Sequence, residues 1–419
     1  PRSLMPQKKT ILFVDDEPMQ IRGLRQALQH RAKDWDMTFV SSGAEALNAL
    51  VVSGPFDAII TDMRMPMMNG AELLLQVCHH YPSTARIVLS GQADQELVLQ
   101  CVMTAHQYLS KPCSSEKIEA CIDRVVGLQA HAHSDAVRKL IGGITNLPTC
   151  PELFNKINQA LSSESCDLAT ISALIEQDTA MTALLLKLVN SAFFGVGRAV
   201  SSASEAMNYL GTTPLKAIIL ASKLFEHSSQ HTQSGLNMPH LWQRALLTGQ
   251  CAKALAMAYA PTRPLKDEAF TAGVLHCCGL LILAESQPAL LKEAITAARN
   301  TGEPLHVHQL LLLGASDAEV GADLLDLWNL PMPIVDAVLH YAVCPAPQNS
   351  VTPLSLLLHA AHALLGEHMP LVEGVPAEPL NVALLEAHGW GLMIPKWREC
   401  VSDILQQKDL ALASSSRKI

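Results

Sequence analysis

Apolar positions along the first part of the chain fall in short runs that stop abruptly, whereas those beyond Asn146 recur with helical spacing. Ala58-Ile59-Ile60-Thr61 is an unbroken apolar, β-branched run of the kind seen in a strand covered on both faces. The run ends at Asp62. The stretch that follows holds Pro66, which lacks a ladder donor, and the turn pair Asn69-Gly70. Asp62 is therefore predicted at the carboxyl end of a strand, the edge at which open α/β sheets bind ligands. Further strands are predicted to deliver polar groups to the same edge. Thr10 to Val14 runs into Asp15-Asp16-Glu17-Pro18, Arg86 to Leu89 into Ser90-Gly91, and Gln107 to Leu109 into Ser110-Lys111-Pro112.

These residues, in this order, resemble the receiver domain of two-component response regulators over residues 8–128. The resemblance implies an α/β fold, a doubly wound, five-stranded parallel sheet of the flavodoxin-like kind. It implies Asp62 as the phosphoacceptor, taking a phosphoryl group from a histidine kinase or phosphotransfer protein. Lys111 would pair with the phosphoryl oxygens and Ser90 would hydrogen-bond one of them. Mg²⁺ is the implied cofactor, on Asp16, Asp62 and the backbone carbonyl of Arg64, with Asp15 acting through water. A hard divalent cation would also relieve the repulsion among three crowded carboxylates. Tyr108, three residues before the lysine, stands where the family carries an aromatic switch that turns inward once the Ser or Thr moves.

Beyond the receiver-like part, Ser114 to Ile118 forms a capped helix start, with Ile118, Ile122, Val125 and Val126 at helical spacing. A polar stretch from Gln129 to Asp135 precedes Val137, Leu140 and Ile141, and Gly142-Gly143 ends the pattern. Residues 114–141 read either as one long helix or as a helix and a hinge. From Asn146 onward helices follow one another, separated by Pro, Gly and Ser. Asp178, the run Asn190-Ser191-Ala192-Phe193-Phe194-Gly195, the segment from Ser201-Ser202 to Leu210-Gly211, and Trp328-Asn329-Leu330-Pro331 resemble the HDOD domain, a degenerate relative of the HD-type phosphohydrolases. An all-α second domain is implied. The expected division is residues 1–7 as a tail, in which Pro1 to Leu4 ahead of Met5 read as an added remnant, then 8–128 as receiver and 129–145 as helical linker. Residues 146–345 follow as HDOD domain, and 346–419 as a helical extension in which Trp390 and Trp397 pack on the HDOD core.

Whether this half is an enzyme depends on its metal site. By spacing, Arg244 falls where the phosphohydrolases place a first histidine, and His276-Cys277 replaces a His-Asp pair. Asp317 falls at the next histidine, His340-Tyr341 at the paired histidines, and His362 near the late aspartate. A fixed guanidinium repels the ion such a site needs. Cys277 and Cys278 are neighbours on a helix, point about 100° apart, and read as core. His227 with His231, and His359 with His362, have ligand-like spacing but no accompanying carboxylate or thiol set, and read as satisfied or solvated side chains. The expected role is a non-catalytic protein-interaction output. The alternative is a metal-dependent phosphohydrolase, such as a cyclic-dinucleotide phosphodiesterase, gated by the receiver.

Composition adds exclusions. The hydrophobic share of 49% with only 4% aromatics favours helices, and a formal net charge of −9 argues against a nucleic-acid partner. Eleven scattered cysteines without a Cys-x-x-Cys pair read as reduced thiols. No stretch reads as the ~18 apolar residues that a membrane span needs, so a cytoplasmic protein without membrane insertion is expected. The expected partners are a kinase or phosphotransfer protein, a downstream protein that the sequence does not identify, and a second copy paired as a homodimer through the face around Tyr108.

Overall fold

The computed structural model describes residues 8–91, 101, 104–131, 140–144, 147–162, 168–191, 198–210, 233–259, 263–343 and 351–416. The chain forms two compact units, one of Pro1–Asn146 with Lys187–Arg198 and Leu327–Asn329, the other of Leu147–Leu186, Ala199–Asp326 and Leu330–Ile419.

In the first unit, β1 (Lys9–Val14), α1 (Pro18–Ala27), β2 (Trp35–Val40), α2 (Gly43–Ser53), β3 (Ala58–Asp62), α3 (Gly70–His80), β4 (Ala85–Ser90), β5 (Gln107–Ser110) and α4 (Ser115–His131) follow in order. The five strands are parallel, in the order β2-β1-β3-β4-β5. Every residue of β3 and β4 is buried, as their continuous apolar runs require. Register then brings the strand ends level, since Val14 pairs with Thr61, Asp62 with Leu89, and Ser90 with Ser110.

The exception in this apolar sheet is Arg86, fully buried on β4. Its guanidinium donates to the carbonyls of Thr104 at 2.5 Å, Gly142 at 2.7 Å and Thr84 at 3.2 Å, and lies 2.7 Å from His106 Nε2. Burial pulls it down to about 10, so it stays cationic at neutral pH, and the same burial with the adjacent Arg86 charge keeps His106 neutral. Within this unit Gln107 Nε2 donates to the Leu327 carbonyl at 2.6 Å, and the Lys187 ammonium lies 4.5 Å over the Trp328 ring. Helix is present at 115–131 and at 140–143; whether it runs unbroken between them falls outside the described residues.

The described helices that follow are α5 (Pro151–Ser162), α6 (Leu168–Ile175), α7 (Thr179–Val189), α8 (Ala203–Leu210), α9 (Met238–Tyr259), α10 (Arg263–Leu275), α11 (Cys278–Ser286), α12 (Pro288–Thr301), α13 (Leu305–Leu313), α14 (Asp317–Leu327), α15 (Met332–Leu339), α16 (Pro353–Gly366), α17 (Val382–Ala387) and α18 (Ile394–Ser416). In the second unit α16 is the central rod, buried from Leu354 to Gly366, so it is apolar all round except for His359, His362 and Ser355. Helices α9 and α10 cross closely, because a Cβ on Gly273 would stand 2.5 Å from the Gly249 Cα. Asp178 caps α7, accepting from the backbone N–H groups of Met181 and Cys150 at 2.9 and 2.7 Å. Trp390 and Trp397 meet edge to face with centroids 5.6 Å apart, both buried.

One expectation needs correction. Leu265–Ser286 is long and apolar enough to cross a membrane, with a mean hydropathy of 1.6 over an 18-residue window, but 83% of that window is buried. The polar punctuation at His276 conceals how apolar its flanks are. The described cysteines are all free.

Candidate functional site

The level strand ends gather the polar groups that the sequence placed there. Asp62 closes β3, is 8% exposed, and its Oδ2 accepts the Arg64 backbone N–H at 2.9 Å. Its Oδ1 is in direct ion contact with the Lys111 ammonium, which also lies 3.0 Å from Asp15 Oδ2. Asp15 is held in turn by the Glu17 N–H, 2.9 Å from Oδ1. Burial raises the Asp62 carboxyl above its ordinary value, and the Asp15 charge adds to this while Lys111 opposes it. Burial pulls Lys111 down, yet the bonds and charges of Asp62 and Asp15 outweigh that and hold the ammonium above its ordinary value. Ser90 Oγ is buried and has no hydrogen-bond partner among the described residues. Asp16 stands half-buried at the rim.

Two local devices hold the β3–α3 loop. Asn69 and Glu72 form a reciprocal capping box at the start of α3. Gly70 packs against the Asp62 carbonyl, a space that any Cβ would fill. Met67 sits in the left-handed region with φ 67° and a fully exposed side chain. The Tyr108 ring lies inward, 1% exposed, with its hydroxyl donating to the Cys101 carbonyl at 2.7 Å. That bond satisfies the one polar atom that would otherwise draw the ring toward water.

The Asp15–Asp62 pair accepts a shared positive charge, that of Lys111, and its donors are hard oxygens, which suits a divalent cation held by one or two carboxylates and water. No group of three or more His, Cys, Asp or Glu side chains is gathered closely enough to hold a metal by itself among the described residues.

A second polar cluster lies inside the helical unit, and it joins most of the positions picked out by phosphohydrolase spacing. Arg244 is fully buried; its Nε donates to the Met369 carbonyl and its Nη2 to the His362 carbonyl, both at 2.7 Å, and its Nη1 to the Thr248 hydroxyl. Burial lowers the guanidinium to about 10. The ring centroids of His276, Tyr341 and His362 lie 4.6 to 5.4 Å apart. The Tyr341 hydroxyl donates to Asp317 Oδ2. Burial and then the Arg244 charge push His276 down to about 3, and hold His362 well below its ordinary range. Burial pushes the Asp317 carboxyl up to about 6. His276 Nδ1 lies 2.6 Å from the Gly273 carbonyl, while His276 Nε2 and His362 Nδ1 have no hydrogen-bond partner among the described residues. His340 instead bonds the Asp336 carbonyl at 2.9 Å.

Above this cluster a strap of irregular chain, Leu371 to Glu378, closes a cavity of about 30 Å³, room for one or two waters. It is fastened by His306 Nδ1 against Glu378 Oε1 at 2.6 Å. No periodic signal marks the strap, because turn-rich stretches reveal nothing of what they cover, and the bonds of Arg244 to Thr248 and to the Met369 carbonyl leave no mark in local sequence. His359 is satisfied on both nitrogens, by the Tyr341 carbonyl and the Asn381 N–H, each at 3.0 Å. His227 and His231 lie outside the described residues.

Two family models match separate stretches of the chain. The response regulator receiver domain matches residues 11–123, and the HDOD domain matches residues 147–343. The chain joins a response regulator receiver to an HDOD domain. The receiver accounts for the acidic strand edge, and the HDOD match contains Arg244, His276, Asp317 and Tyr341 but ends before the strap. Among relatives, an uncharacterized protein of Treponema pallidum is 29% identical over 49% of this chain and 40% of its own length. The hydrogenase transcriptional regulatory protein HoxA of Cupriavidus necator is 34% identical over 30% of this chain and 27% of its own. The chain thus spans less than half the length of these relatives. Among solved structures, the MmoQ response regulator of Methylococcus capsulatus is 24% identical, with a TM-score of 0.46, over 62% of this chain and 98% of its own.

Proposed function

We propose that this protein is a phosphorylation-dependent response regulator of two-component signalling, acting in the cytoplasm. Asp62 accepts a phosphoryl group from a histidine kinase or phosphotransfer protein, and the HDOD domain acts as a non-catalytic protein-interaction output. The observation that carries this reading is the Lys111 ammonium bridging Asp62 and Asp15 at the strand edge, with the unpartnered Ser90 hydroxyl beside β5. The cleft so formed has a carboxylate nucleophile, a fixed cation for phosphoryl oxygens and a spare hydroxyl. Mg²⁺ would be held by Asp15, Asp16, Asp62 and the Arg64 carbonyl, and when bound it would neutralise charge on the incoming phosphoryl group. Against hydrolysis in the HDOD domain stands the buried Arg244 guanidinium, which occupies the centre of the polar cluster with a charge of the same sign as a metal.

With a small phosphodonor and Mg²⁺, intact mass should rise by a single phosphate, and Asp62→Asn should remove that addition. Phosphate retained in full by Asp62→Asn would sink the assignment. Lys111→Ala should keep part of the phosphorylation and lose its structural consequence. The enzyme alternative requires metal in near-stoichiometric amount in the helical unit together with phosphodiester turnover. We also infer that phosphorylation acts through the face around Tyr108, on homodimer formation, with the inward ring as the state it favours.

A further inference from the structure

In the helical unit, α9 and α18 flank an open groove of about 780 Å³ that lies apart from the Arg244 cluster. Its floor on α9 follows a single helical stripe, Leu246, Gln250, Lys253 and Met257, at successive spacings of three or four residues. The opposing wall is formed by Ile404 and Lys408, one turn apart on α18. Along α9 the stripe runs for about 16 Å, three turns of helix. Met257 is 53% exposed there, in a unit whose other α9 face is buried. The two lysines are the only charged side chains among the described residues lining the groove, in a chain of net charge −9.

We propose that this groove is the docking surface of the output domain, and that it takes an amphipathic partner helix with apolar residues one turn apart and carboxylates that meet Lys253 and Lys408. The proposal rests on the interaction-output reading and names its surface. Two flanking helices, with a floor that interleaves the apolar Leu246 and Met257 with Gln250 and Lys253, suit a third, amphipathic helix laid lengthwise. The paired cations select acidic over basic helices, chiefly through on-rate and register. Methionine on the floor accommodates varied apolar partners.

The test uses the full-length chain and a phage-displayed library of helix-stapled peptides. Recovered peptides should carry apolar residues at i and i+4 and at least one Asp or Glu. Their affinity should fall about tenfold or more on Met257→Glu, and should fall on the double variant Lys253→Glu, Lys408→Glu. That double variant should in turn bind the same peptides with Lys in place of the acidic residues. Circular dichroism of each variant, matched to the parent, separates lost docking from lost fold, and the charge-swap rescue cannot arise from misfolding. Peptides that bind equally well to all variants would overturn the groove while leaving an interaction output intact. Recovery of no helix, with lysine-dependent binding of dodecanoate, would overturn it in favour of a small-amphiphile site. Self-association abolished by Met257→Glu, without peptide binding, would overturn it in favour of a second copy. Phosphodiester turnover by the helical unit would instead defeat the underlying reading, whatever the peptides did.

Discussion

Asp317 shows how much a single buried group can shape the pH response of this protein. Its carboxyl stands at about 6 in the folded chain because burial disfavours the charge, although the Tyr341 hydroxyl opposes this. A carboxyl raised by folding holds its proton more tightly in the native state. Its contribution is therefore most favourable below about 4 and is lost as pH rises through about 6, with a difference of up to about 3 kcal/mol. Asp317→Asn keeps an acceptor for Tyr341 and removes the titration. Chemical denaturation should find the variant and parent alike near pH 4 and the variant more stable at pH 7; an equal gap at both values would refute the assignment. Residues of this kind were only partly legible in the sequence. Asp15, Asp62, Ser90 and Lys111 could be found because each ends an apolar run, so chain direction alone fixes where it goes. Arg86 could not, since its partners are carbonyls of Thr84, Thr104 and Gly142, groups that every residue carries and no pattern marks. Tyr108 was placed correctly on its strand, but its inward ring depends on the Cys101 carbonyl, which local sequence does not specify.

At the level of elements, the turn between β3 and α3 links the helix start to Asp62, the proposed phosphoacceptor. Gly70 is the first residue of α3 and lies against the Asp62 backbone, while the capping box of Asn69 and Glu72 fixes where the helix begins. Gly70→Ala should therefore force the loop away from β3, destabilising the first unit by about 1–3 kcal/mol through steric overlap. It should also slow phosphorylation by a small phosphodonor, although no charged group has changed. A variant with lowered melting temperature and unaltered phosphorylation rate would show that the loop relaxes without moving Asp62. Strands and helices were readable because their periods differ. The strap from Leu371 to Glu378 was not, as a segment with Pro376 inside it, Pro370 and Pro379 beside it and no repeat carries no sign that it roofs a buried cluster.

At the scale of the whole molecule, the family boundaries and the compact units do not coincide. The sheet-containing unit includes Lys187–Arg198 and Leu327–Asn329, both within the stretch that matches the HDOD domain. Gln107 donates to the Leu327 carbonyl, and Gln107 and Tyr108 are 7% and 1% exposed in the complete unit. A fragment of residues 8–146 alone should therefore melt about 5 °C or more below the corresponding transition of the full chain. Its Gln107 side-chain amide and Tyr108 ring should become accessible to exchange and to solvent quenching. Identical protection in fragment and full chain would mean that the later segments add nothing. The sequence signalled two domains because composition changes near Asn146, but a contact made by three residues some two hundred positions downstream leaves no such trace. During synthesis at about 5–20 residues per second, those downstream residues emerge roughly 10–40 s after the last strand of the sheet. For that interval the nascent receiver is on the ribosome with β5 present and Leu327 to Asn329 not yet made, so a surface that the finished protein covers stands open.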